Sequence, residues 1–100
     1  MSDTTDFAIL AQSIGENSVS YIGKENLRAL SVEVNPITME AEIEIVLRDA
    51  HEAHRRAALE ALREVEELFW DEIVIGHNFV GELHAHDRAT ADARRQFQYA

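Results

Sequence analysis

Met39–Phe69, MEAEIEIVLRDAHEAHRRAALEALREVEELF, changes its hydrophobic period part-way along, and the change decides the fold. From Met39 to Leu47, Met39, Ala41, Ile43, Ile45 and Leu47 alternate with Glu40, Glu42 and Glu44, the two-residue period of a half-buried strand. Beyond Asp49, which can cap a helix, the period lengthens. Ala50, His54, Ala57, Ala58, Ala61, Leu62, Val65, Leu68 and Phe69 share one arc of a helical wheel, and Glu52, Arg56, Glu60, Arg63 and Glu67 share the opposite one. Glu52 and Arg56 stand in the favourable i,i+4 order. Leu59 and Trp70 project toward the polar arc, so each is either covered by another segment or exposed for a partner.

Upstream, Leu30, Val32 and Val34 alternate with Ala29, Ser31 and Glu33 until Asn35-Pro36 breaks the strand. A hairpin follows, with Val34 expected opposite Met39, Val32 opposite Ala41, Leu30 opposite Ile43 and Glu33 opposite Glu40. Nearer the N-terminus, Phe7, Leu10, Ala11 and Ile14 predict a short helix that Gly15 ends, followed by a short edge strand over residues 18–22.

Downstream, the β-branched run Ile73-Val74-Ile75 predicts a strand over residues 72–80. A strand–helix–strand order makes this a crossover unit, so that strand should run parallel to Met39–Leu47. The basic tail carrying Arg88, Arg94 and Arg95 reads as a terminal helix from about Arg88 to Gln98 or as a frayed end. The expected architecture is an α+β two-layer sandwich: an antiparallel hairpin plus a crossover strand, one long amphipathic helix on one face, and short terminal helices. It forms one domain over residues 1–100, with 1–5 and 88–100 the segments prone to fray.

The hydrophobic content of 46%, with four Gly and one Pro, belongs to a globular chain. One hundred residues can bury about two-thirds of the unfolded chain's surface, enough for a modest core. The absence of cysteine removes disulfides, thiolate catalysis and Cys-ligated metals. No basic leader and no apolar run of membrane-spanning length is present, so the expectation is a soluble, cytoplasmic chain without a membrane partner. Nineteen acids against nine bases leave a net charge of −10, which opposes nucleic-acid binding and favours either simple solubility or a basic protein partner.

Catalytic signatures are missing. There is no GxSxG elbow, no phosphate-binding glycine loop and no calcium loop. His51-Glu52-Ala53-His54 has i,i+3 spacing where a zinc helix needs HExxH, and the wheel turns His54 into the core. His84 and His86 would share one face of a strand, and with His77 they form the alternative, a metal site or a histidine-based ligand or enzyme site between helix and sheet. HxH pairs also arise by accident, so no cofactor is expected. The favoured expectation is a small acidic, non-catalytic protein-binding or adaptor module, homodimeric, that binds a basic partner. Its binding residues are those the fold does not need: Glu40, Glu42, Glu44, Leu59 and Trp70.

Overall fold

In a computed structural model of the chain, residues 3–83 and 94–99 are described, the side chains of residues 3–5 excepted. They form α1 (Asp3–Ile22), a 3-10 turn (Lys24–Asn26), β1 (Leu27–Asn35), β2 (Glu40–Leu47), α2 (Glu52–Leu68), β3 (Val74–Phe79) and β4 (Arg94–Gln98). The four strands make one mixed sheet in the order β3-β2-β1-β4, so the fold is α+β with two helices. The hairpin supplies the two central strands. β2 and β3 are parallel neighbours joined through α2, the expected crossover, and β4 pairs antiparallel with β1 at the opposite edge.

The hairpin register differs from expectation by two residues: Val34 faces Ala41, Val32 faces Ile43 and Leu30 faces Ile45. The turn explains the shift. Asn35 remains in the ladder, its Oδ1 accepts from the Ile37 and Thr38 amides at 2.9 and 3.2 Å, and its carbonyl accepts from the Met39 amide at 2.9 Å. Met39 therefore closes the turn at φ 57° and does not join the inward row. A two-residue shift preserves the alternation, so Ala41, Ile43, Ile45 and Leu47 are all buried as the period requires.

A single core joins Ala11 and Ile14 of α1, Ala58, Leu62 and Val65 of α2, and Leu30, Val32, Val34, Ile43, Ile45 and Ile75 of the sheet. α1 lies against β1, β4 and α2. Far from being a short terminal helix, it runs through Gly15 and absorbs the edge strand expected at residues 18–22. A Cβ on Gly15 would overlap the ring of Phe97 on β4, so the glycine serves close packing and does not end the helix. Ser18 Oγ, buried, donates to the Ile14 carbonyl at 2.8 Å. Gly23 ends the helix, at φ 94°, with its amide donating to the Val19 carbonyl at 2.8 Å.

α2 begins later than expected, with His51 at the N-cap position, while Asp49 Oδ1 accepts from the His51 amide at 3.2 Å. Ala58, Leu62, Val65 and Phe69 are buried, but Ala50, His54, Ala57 and Leu68 are exposed. His54 is thus not a core residue, and its Nδ1 lies 3.1 Å from the Asp49 carbonyl oxygen at the surface. Alanines offer little apolar area, so the first turns of α2 gain little by settling onto the sheet. The tail helix expected to reach Gln98 is also corrected, since Arg94–Gln98 is the edge strand β4. Phe97 and, just beyond the strand, Tyr99 stand two residues apart, and β4 pairs with β1 along one edge. The rest of the expected tail helix, residues 88–93, lies outside the described residues.

Candidate protein-binding surface

Strand alternation places Glu40, Glu42 and Glu44 on the side of the sheet opposite Ala41, Ile43 and Ile45, and cross-strand pairing sets what stands beside each. Glu40 stands between Asn35 and Val74. Glu42 stands between Glu33 and Gly76, and Glu33 has Arg94 of β4 on its other side. Glu44 stands between Ser31 and Asn78. The like-charged pair is therefore Glu33 with Glu42, not Glu33 with Glu40, a consequence of the two-residue register shift.

These glutamates are not equivalent. Glu40 and Glu42 are exposed, whereas Glu44 is 7% exposed and Ser31 beside it 1%. Ser31 Oγ donates to Glu44 Oε1 at 3.5 Å, a long contact that ties this carboxylate into the sheet. Gly76 leaves room beside it for Glu42, whose Oε2 lies 2.8 Å from where a Cβ on that glycine would stand. On β4, with the Gln96 amide oriented to present its oxygen, Gln96 accepts from Arg94 Nη1 and Nη2 at 3.1 and 2.7 Å.

The expected apolar residues occupy two places. Leu59, 37% exposed, lies on α2, whose buried residues enter the core on the other side of the sheet from the glutamates. Trp70, 77% exposed, lies in the turn where the Glu72 and Ile73 amides donate to the Phe69 carbonyl. That turn leads directly into β3, and the Val74 amide donates to the Met39 carbonyl at 3.1 Å. Val74 (68% exposed) thus stands beside Glu40 and is bonded to Met39, the last residue of the hairpin turn that carries exposed Ile37, while exposed Trp70 lies four residues earlier in the chain. Val74, Met39 and Ile37 belong to this exposed group and were not expected there. Their signal was present in the β-branched start of β3 and in the apolar residues flanking Thr38, but only the hydrogen bonding shows that Val74 meets Met39.

His77 is exposed on β3, its ring centroid 5.9 Å from that of Phe79, while His84 and His86 lie outside the described residues. Among the described residues, no group of three His, Asp or Glu could hold a metal ion, and no helix is long and apolar enough to cross a membrane. Comparison with protein-family models, curated protein sequences and solved structures finds no match to this chain. The functional reading therefore rests on geometry and charge.

Proposed function

We propose that the chain is a small acidic, non-catalytic protein-binding module that captures a basic partner, with Glu40 and Glu42 supplying charge and Trp70 an apolar anchor. The observation that carries this reading is an exposed valine paired beside Glu40, one of two exposed carboxylates on the same strand, with a largely exposed tryptophan in the turn that leads into that valine's strand. Tryptophan in a desolvated pocket is a common source of binding energy, and surrounding charge selects the partner and speeds its approach. With a net charge of −10, long-range attraction favours a basic surface. In this reading both helices cover one face of the sheet as a two-layer sandwich, leaving the glutamate face open to the partner. Glu44 supports the strand from within, and Leu59 serves a separate contact between two copies of the chain.

Affinity capture with the tagged chain tests the reading. Proteins retained by the wild type should be basic and should be lost as salt rises. They should also be lost with Glu40→Gln/Glu42→Gln and, separately, with Trp70→Ala, while circular dichroism spectra stay unchanged. Capture indifferent to both substitutions would overturn it.

A further inference from the structure

Three arginines from separate parts of the chain line one cavity of about 290 Å³ at the carboxyl ends of β2 and β3. Arg28 belongs to β1, Arg48 follows β2 and Arg55 lies in the first turn of α2. Ile45, Phe79 and Val80 give the cavity an apolar wall, and among the described residues no carboxylate lines it. In a chain with nine basic residues against nineteen acids, three bases around one cavity is a concentration opposite in sign to the whole. Arg28 is there because of a local irregularity: pairing passes from Leu27 opposite Leu47 to Ala29 opposite Val46, and the bulge leaves Arg28 out of register and exposed. Bulges re-aim side chains in this way, often beside functional sites. The side chains of Arg28 and Arg55 form no salt bridge with a described residue.

We propose that this cavity binds a small organic anion, with the guanidinium groups of Arg28, Arg48 and Arg55 taking its charged head and the Ile45–Phe79–Val80 wall taking an apolar body. Guanidinium is planar and always charged, and it offers paired donors that match carboxylate and phosphate oxygens. The cavity lies at the small end of the range for small-molecule sites, about 300–1,000 Å³, so the ligand is compact. Its position at the ends of adjacent parallel strands is where open sheets containing such units commonly take ligands.

Phenyl phosphate, benzoate and inorganic phosphate, each titrated into the isotope-labelled full chain at constant ionic strength, test the proposal by amide chemical shift. Saturable shifts centred on Arg48 and Arg55 are expected for phenyl phosphate or benzoate, and the stronger of the two identifies the head group. Inorganic phosphate, which has no apolar body, should bind about tenfold or more weakly than phenyl phosphate if the head group is a phosphate. Arg28→Gln and Arg55→Gln, both at exposed positions, should each weaken the better ligand by about tenfold or more without altering the spectrum elsewhere. Shifts that do not saturate, that centre elsewhere, or that are unaffected by both substitutions would overturn the proposal. So would an inorganic phosphate affinity equal to that of phenyl phosphate where phenyl phosphate is the better organic ligand.

Discussion

Gly15 brings the backbone of α1 so close to Phe97 that a methyl group would occupy the ring's space. Inside a helix the same glycine costs about 1 kcal/mol relative to alanine, so two effects oppose each other at this residue. Overpacking typically costs about 1–3 kcal/mol and should win. Gly15→Ala should lower stability in urea denaturation, while in a Phe97→Leu background the substitution should be neutral or stabilising. Equal effects in both backgrounds would show that the two residues do not meet as described. Gly23 has a different role, because its φ of 94° strains any residue with a side chain and ends α1 there. A residue-by-residue reading assigns the stop to Gly15, the first glycine encountered, because an isolated glycine looks the same whether its freedom or its small size is needed.

Along β2, one row of glutamates serves two purposes. Glu40→Ala and Glu42→Ala should each leave stability within about 0.5 kcal/mol of the wild type, as exposed substitutions usually do. Glu44→Ala should cost about 1–3 kcal/mol by removing a buried carboxylate and leaving Ser31 Oγ without this acceptor. Thermal melts of the three variants check the division, and equal losses would refute it. The hairpin, α2 and the crossover were legible because the hairpin and α2 each show a sustained period and β3 a β-branched run. The two-residue register shift was not, because it leaves the alternation unchanged and depends on Asn35 hydrogen bonds within the turn. β4 had a faint signal: Phe97 and Tyr99 stand two apart, a strand spacing, but the neighbouring alanines and arginines suit a helix equally well. Of the expected binding residues, the sequence separates those on the polar side of each element from the core, but it cannot tell that Glu44 is enclosed or that Leu59 lies across the sheet from the glutamates.

For the molecule as a whole, exposed apolar groups and a β3 edge that no described strand pairs make self-association part of the functional reading. Light scattering on the eluting protein at micromolar concentration should give twice the chain mass, and Leu59→Asp should return it to the chain mass with the fold retained. A monomeric wild type would remove the homodimer from that reading without touching the glutamate surface. The sheet order has a further consequence for the sequence of events during synthesis. β1, made early, pairs on one edge with a hairpin partner a few residues away and on the other with β4, where Leu30 meets Phe97. Because α1 packs against the same Phe97, a ribosome-bound chain that has emerged only as far as β3 holds its first helix without that ring and leaves the outer edge of β1 unpaired by β4. Such a nascent chain exposes bonding groups on β1 that pair readily with another molecule, so β4 both packs a ring against the core and covers that edge of β1 once it has emerged.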